Sequence, residues 1–475
     1  MRRRTEKVSD RQGAVVANSL ALCGTVVAMQ QTMIIPVLPE MPALLDTTAA
    51  SASWLVTATL LAGAVSTPLI TRAADMYGKK RMILFALTVM IVGSTIGSFG
   101  QTLVPVLIAR VFQGVGMSLI PVGIAMIRDL LPVEKVPLGV AMMSASMAVG
   151  AGVGLPLAGA LVEFLDWHAI FWVTAALGVL VMVAMALVLT ESTIRSGGSF
   201  DLVGAVVISG MLTAIMLVLS KGGQWGWTST LTLGLGIGAV VLAAVSVPLE
   251  LRVRQPLVNL RVSTRPAVLL VNLVAVLIGF GMFANMLVTT YLLQLPTETG
   301  YGLGLSVLET GLWMVPSSLL FGVMAPVSAA VIRVFGAQVT LLIGALGMAV
   351  SYLGRVFLSE DLWLIVLGSV LVAMTTSMAF AAMPTLVMAA VPMTETASAN
   401  GLNTLLRSVG SSTSSAILAA VTTSTAVVIG GVVTASFGGL MLIFAIAAAG
   451  CLAAAILTLP LLRGRGNELL AVETV

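Results

Sequence analysis

Arg110 sits inside an otherwise apolar run at 104–127, and a guanidinium in that place needs a reason. It keeps its charge at any accessible pH and is expensive in hydrocarbon, so it must face protein or water. Gln113 and Gly114 follow three and four positions later on the same helical face, and Gly116 beside them permits close backbone approach. Such a group can bind a substrate, answer a protonatable partner or the first helix during a transport cycle, or simply tie helices together. A second constellation is the break from Thr71 to Arg81, with Asp75, Gly78, Lys79 and Lys80 at its centre. Its carboxylate can cap the following helix or pair with another helix end, and Gly78 allows a tight turn. The set reads as a charged latch on one conformation or as an ordinary basic loop.

Other polar groups are spread through apolar runs. Gln30, Gln31 and Thr32 precede Pro36 and Pro39, and Asn272, Asn285 and Gln294 give similar chemistry to the run at 267–293 and its end. Neutral amides of this kind either bind substrate or link helices. Glu309, with Trp313 one turn deeper, is a candidate protonation site or an acid that snorkels to the surface. Asn403 and Arg407, one turn apart, can bond two halves of the chain together or anchor a helix end. Gly150, Gly152, Gly154, Pro156 and Gly159 crowd one run, where glycines four apart favour close packing and proline favours a bend. The 27 methionines can line an adaptable cavity, although most fit as packing.

Hydrolytic, metal and nucleotide chemistry is poorly served. With one histidine, a triad would have to be built around His168, which no nucleophile elbow accompanies. The two cysteines, Cys23 and Cys451, are far apart in apolar runs and form no zinc motif, and no G-x-x-x-x-G-K loop is present. The sequence thus points away from an enzyme, a resident cofactor or metal, and any need for an ATPase subunit.

Composition says what holds these groups. Of 475 residues 59% are hydrophobic and 9% charged, whereas a soluble domain devotes about 25% to charge. A helix needs roughly 20 residues to cross hydrocarbon, and about fourteen such stretches occur. They run near 14–38, 51–71, 81–99, 104–127, 137–161, 169–190, 201–220, 228–249, 267–293, 305–329, 337–355, 362–388, 399–423 and 436–461. The net charge of +4 lies in short breaks, a membrane-orientation pattern that does not call for nucleic acid. Arg72, Lys79, Lys80, Arg81, Arg128, Lys135, Arg252, Arg261, Arg265 and Arg333 fall on one side, while the other holds Lys221 and, at a margin, Arg355 beside several acids. The expectation is an all-α polytopic protein with both termini in the cytoplasm. Pro68, Asp75 and Gly78 recur in spacing as Pro326, Arg333 and Gly336, an offset of 258 residues. This suggests two repeated bundles: a tail at 1–13, six helices over 14–190, an extra two-helix hairpin and linker over 191–266, six helices over 267–461, and a tail at 462–475.

These motifs resemble the major facilitator superfamily, in particular its fourteen-helix drug:proton antiporter branch. Asp75, Gly78, Lys79 and Lys80 resemble the signature loop between helices 2 and 3, with Thr71 and Met76 where Gly and Arg are usual. Arg110, Gln113, Gly114 and Gly116 resemble the helix 4 motif, associated with proton coupling, and Gly154-Leu155-Pro156 to Gly159 resembles the antiporter motif of helix 5, with Leu155 and Ala160 replacing usual glycines. Asp166 to Trp172 resembles the entry to helix 6. Leu38-Pro39 match the end of a helix 1 motif whose usual aspartate falls here on Gln30, a side chain that exchanges no proton. The resemblance implies a secondary active exporter of amphipathic or cationic small organic molecules, a drug, antibiotic or metabolite, in a bacterial-type inner membrane. It would work by alternating access in contact with lipids, with protons as the coupling ion. Coupling would then use another acid, Glu309 first, with Asp75 as a gate. The alternative is an uncoupled or differently coupled transporter of a metabolite or lipid.

Overall fold

A computed structural model of the chain describes residues 10–35, 37–38, 40–197, 200–253, 256–257, 259–359, 361–429 and 432–472. The N-terminal basic cluster up to residue 9, Pro36, Pro39, Arg254 and Glu360 lie outside them.

The described chain is almost wholly helical. After α1 (Asp10–Thr32) come the short α2 (Met41–Leu44) and α3 (Ala49–Ala52), then α4 (Trp54–Tyr77) and α5 (Lys79–Ser98). α6 (Leu103–Gly114) and α7 (Leu119–Leu130) flank a 3₁₀ turn at Val115–Ser118 and are followed by α8 (Val136–Phe164) and α9 (Ala169–Val188). α10 (Leu202–Trp225) and α11 (Thr230–Arg252) form the hairpin, and α12 (Leu260–Ser263) leads into α13 (Pro266–Gln294). The chain continues through α14 (Val307–Phe335), α15 (Ala337–Phe357), α16 (Leu362–Ala390) and α17 (Thr396–Ser424), then β1 (Ala426–Ile429), β2 (Val432–Ala435) and α18 (Phe437–Val472).

Among the described residues thirteen helical stretches are long and apolar enough to cross a membrane, one fewer than expected. The expected span at 399–423 is helical, as α17, but serine, threonine and asparagine crowd it and it is not among the thirteen. The helices are apolar outside as well as inside: Val206, Ile237 and Val240 are all exposed. That is the pattern of a polytopic membrane protein, whose helices satisfy their own backbone groups and meet lipid with apolar side chains.

The chain separates into two compact units, Met1–Arg261 with Val391–Leu405, and Val262–Ala390 with Leu406–Val475. In the first, α1 lies along α8, α5 packs on α6 and α9, and α10 joins the hairpin to α4. In the second, α15 packs against α16 and α18, and α13 contacts both of the latter. Two glycines repeat a backbone role across the chain. Gly78 ends α4 at φ 122° and Gly336 ends α14 at φ 86°, and each begins the next helix at once. A side chain there would strain the turn, so glycine recurs at this spacing.

Two short strands were not expected. β1 and β2 pair antiparallel, Ala426 with Ala435 through Ile429 with Val432. Their β-branched runs flank Gly430-Gly431, a dipeptide that favours hairpins, so a local signal existed.

Candidate functional site

The first unit holds Arg110, which is 2% exposed. Its Nε donates to the Leu55 carbonyl at 3.0 Å, and Nη1 donates to the Gln30 carbonyl at 3.2 Å and to Gln113 Oε1 at 2.7 Å. Gln113 Nε2 donates onward to Ser94 Oγ at 2.9 Å, and Gln30 Nε2 donates to the Gln113 carbonyl at 2.9 Å. The predicted group of Gln30, Arg110 and Gln113 is thus one network that joins α1, α4, α5 and α6. Its partners are neutral oxygens, with no carboxylate. Gln30 Oε1 is buried and meets no donor. Gln31, the neighbouring candidate, is half-buried and outside this network.

The network lies directly before an irregular piece of helix. The expected single run at 104–127 breaks into α6, a 3₁₀ turn and α7. A Cβ on Gly114 would stand 2.8 Å from Ala62 Cβ and 3.1 Å from Gly63 N, so α4 and this turn approach at backbone distance. 3₁₀ geometry inside a helix often marks a hinge. Gly150 and Gly154 do similar work on α8. Added Cβ atoms would stand 2.8 Å from Ala28 Cβ and 2.8 Å from the Met29 carbonyl, so α1 rests in the groove they leave. Pro156 lies within α8, which continues through it, and both Pro156 and Gly159 are half-buried.

The Asp75 loop closes on several elements of the first unit. Asp75 is fully buried and accepts from the Ala397 and Ser398 amides at 3.2 and 2.9 Å and from Ser398 Oγ at 2.6 Å. It therefore sits on the open N–H groups of the first turn of α17, where the helix dipole favours an anion. Lys79 Nζ lies 3.7 Å from Asp75 and 2.7 Å from Asp129. Lys80 Nζ donates to the Ala186 and Leu189 carbonyls at 2.8 and 2.6 Å, completing the end of α9. The amides of Lys80 and Arg81 donate to the Glu191 carboxylate at 3.2 and 3.3 Å. Thr71, where a glycine was the usual residue, fits because Gly401 faces it; a Cβ on Gly401 would stand 2.6 Å from Thr71 Oγ1.

The second unit holds a different network. Arg355, expected at the margin between a span and its break, is 1% exposed and lies in the last turn of α15. It donates from Nη1 to Asn285 Oδ1 and from Nη2 to Thr289 Oγ1, the latter at 2.9 Å. Asn285 Nδ2 donates to Ser369 Oγ at 3.1 Å, and Ser317 Oγ donates to Ser369 Oγ at 3.0 Å. Of the cavity candidates, Asn285 belongs to this chain of polar groups. Asn272 is buried elsewhere on α13, Gln294 is half-buried at its end, and Trp313 meets Trp363 edge to face at 5.0 Å. Glu309 is exposed. It accepts from the Ser306 amide at 2.8 Å while Ser306 Oγ accepts from the Glu309 amide at 3.2 Å, a capping box that begins α14. In this conformation its carboxylate is engaged at the helix start. Arg407 is buried with its guanidinium 4.4 Å from the Phe380 ring centroid, and Asn403 is buried among the α17 residues that group with the first unit.

Sequence reasoning missed several of these residues. Lys221 was placed in a break but is buried in α10, donating to Ser53 Oγ at 2.6 Å and lying 4.9 Å from the Trp54 ring centroid. Its place after an unbroken apolar run was the available signal. Ser94, Asp129, Glu191 and Ser398 carried none, because ordinary polar residues near helix ends acquire roles only from their neighbours in space. At the opposite loops His168 bonds Asp166 and reaches the Gly100 carbonyl at 3.0 Å. Burial acts to raise the Asp166 carboxyl but is outweighed by the bond with His168, which holds it below its ordinary value.

Comparison with known proteins places this geometry in a family. The chain is 26% identical over 351 residues to the tetracenomycin C resistance and export protein of Streptomyces glaucescens, covering 72% of this chain and 64% of that protein. It is 25% identical over 362 residues to the multidrug resistance protein Stp of Mycobacterium tuberculosis (strain CDC 1551 / Oshkosh), covering 76% and 66%. The matched stretch thus spans just under two thirds of those relatives. The crystal structure of the human organic anion transporter MFSD10 (TETRAN) shares the fold at TM-score 0.68 and 13% identity, over 94% of this chain and 99% of that one. The model of the Major Facilitator Superfamily matches residues 20–415. With most of its length matched and its helices arranged in the same fold, this chain belongs to the Major Facilitator Superfamily.

Proposed function

We propose that this chain is a multi-pass inner-membrane transporter of bacterial type, with both termini cytoplasmic, that exports small organic molecules by alternating access and takes up no proton at the Arg110 site. The observation that carries this reading is the carboxylate-free network of Arg110, Gln30 and Gln113. A buried charge held between helices, next to a 3₁₀ turn, belongs to a moving part more than to a static core, since a packed apolar contact would cost less. Export is supported by two of the relatives, one a resistance and export protein and one a multidrug resistance protein. Superfamily membership supports a transporter and not an enzyme. The substrate would be a metabolite or lipid-like amphiphile, and the transport uncoupled or coupled otherwise than through helix 1.

A second reading, proton-coupled antiport of amphipathic or cationic compounds as in the fourteen-helix branch, is favoured by Asp75, a buried acid beside Lys79. The test is counterflow in proteoliposomes with the pH gradient imposed or collapsed. Flux that persists without a gradient and is lost in well-folded Arg110→Ala is the expected result. Strict dependence on the gradient, abolished by Asp75→Asn, would replace the first reading with the second. Normal flux by Arg110→Ala would defeat the role of Arg110.

A further inference from the structure

Arg355 poses a charge problem that the second unit does not solve from its own residues. The guanidinium is buried, its hydrogen-bond partners Asn285 and Thr289 are neutral, and its remaining face covers the Phe444 ring, 4.1 Å from the centroid. Arg355 Nε is buried and meets no hydrogen-bond acceptor. Among the residues of this unit whose side chains are described no carboxylate is buried: Glu298, Glu309 and Asp361 are all exposed. A desolvated cation with only neutral partners is unfavourable, so a countercharge that arrives with a ligand gains an unusually strong interaction. The surroundings fit that purpose. Gly368 lies against the side chain, where a Cβ would stand 2.7 Å from Arg355 Cγ and 3.1 Å from Nε, so α16 packs its backbone directly on the Arg355 side chain. Asn285, Ser369 and Ser317 extend the polar chain from Arg355 across α13, α16 and α14. Asn285 and Thr289 lie in the last turns of α13, and Ser369 in the early turns of α16, so the group occupies one half of the membrane depth.

We propose that Arg355, positioned by Asn285 and Thr289, is the anion-recognising residue of the substrate path, and that the transported molecule carries an oxyanion such as a carboxylate or sulfonate. The guanidinium offers two parallel N–H bonds to such a group through the unpartnered Nε and an Nη. The proposal rests on the transport reading above and sharpens its substrate class from small organic molecules to organic acids.

The test uses matched pairs that differ in charge and little in shape: 2-naphthoate against 2-naphthamide, and dodecanoate against dodecanamide. Binding is read as a rise in the Tm of the purified full chain, and transport as counterflow in proteoliposomes. The wild type prefers each carboxylate over its amide by about tenfold or more, the equivalent of one charge-assisted hydrogen bond. Arg355→Gln removes this preference while amide flux continues; Arg355→Lys, which keeps the charge without the planar fork, retains part of it. A purely structural role would lower acid and amide flux together, and that result overturns the proposal. Equal treatment of acid and amide by the wild type overturns it as well, and needs no variant to fold. Flux of amides without preference defeats the anion assignment alone, whereas absence of flux for every compound defeats the transport reading and this inference with it.

Discussion

A buried guanidinium has five N–H donors to satisfy, and both Arg110 and Arg355 turn to neutral oxygens for them. Arg110 meets the carbonyls of Leu55 and Gln30 and the Gln113 amide; Arg355 meets Asn285 and Thr289. Neither pairs with a carboxylate, so neither has a partner whose charge an arriving proton could remove. A coupling acid would have to stand elsewhere, and Glu309 is engaged in a capping box at the exposed start of α14. Glutamine serves that box as well as glutamate does. Glu309→Gln is therefore expected to fold normally and to transport with an unchanged pH profile, measured as flux against external pH; a displaced profile would return the coupling role to this carboxylate.

At the scale of elements, the glycines of α8 and the interruption between α6 and α7 set how closely helices approach. Gly150 and Gly154 let α1 lie against α8 at backbone distance, with Thr32 Oγ1 reaching the Ala151 carbonyl at 3.4 Å. Gly154→Val would drive a side chain into Met29 and Thr32 and is expected to destabilise the protein by about 1–3 kcal/mol, seen as a lower Tm in detergent and weaker transport together. A variant of wild-type stability would show that the two helices do not rely on this contact. The hairpin has its own fastening. Asp201 caps α10 through the Gly204 amide at 2.8 Å, Ser229 caps α11 through the Thr232 amide at 3.2 Å, and Lys221 holds α10 to the start of α4.

For the whole molecule the decisive physics is the solvent. Lipid demands that each span satisfy its own backbone, and the charge difference between loops sets the direction of insertion. Asp46 lies in an acidic break and is expected outside the cell. Because Cys23 and Cys451 are both buried, Asp46→Cys would be the reactive thiol, and a membrane-impermeant maleimide is expected to label it in intact cells. Labelling only in inverted vesicles would reverse the orientation. The latch at Asp75 belongs to this scale as well, because it binds the first turn of a helix more than three hundred residues later in the chain, Ala397 and Ser398.

The amino-acid order by itself determined that the chain lives in a membrane, where most spans begin and end, and that Arg110 must look inward. Those conclusions need only the cost of exposing polar groups to hydrocarbon and the length of a crossing. It also marked Asp75 and Gly78, since an acid and a glycine between two long apolar runs have few uses. The tertiary structure decided what each polar group meets. Lys221 looks like a loop residue in one dimension and Arg355 stands at the margin of its span, because both lie near the ends of apolar runs, and only packing shows that their long side chains fold back among helices. Glu309 read as a protonation site or as an acid snorkelling to the surface, and only the structure shows its carboxylate turned to the amide of Ser306. The polar α17 falls below the hydropathy of a span because serine, threonine and asparagine crowd it, and its hydroxyls are satisfied by the carbonyl a turn earlier, as those of Thr413 and Thr422 are at 2.9 and 2.8 Å. Partners of this kind are set by distances across helices, which periodicity along one helix does not contain.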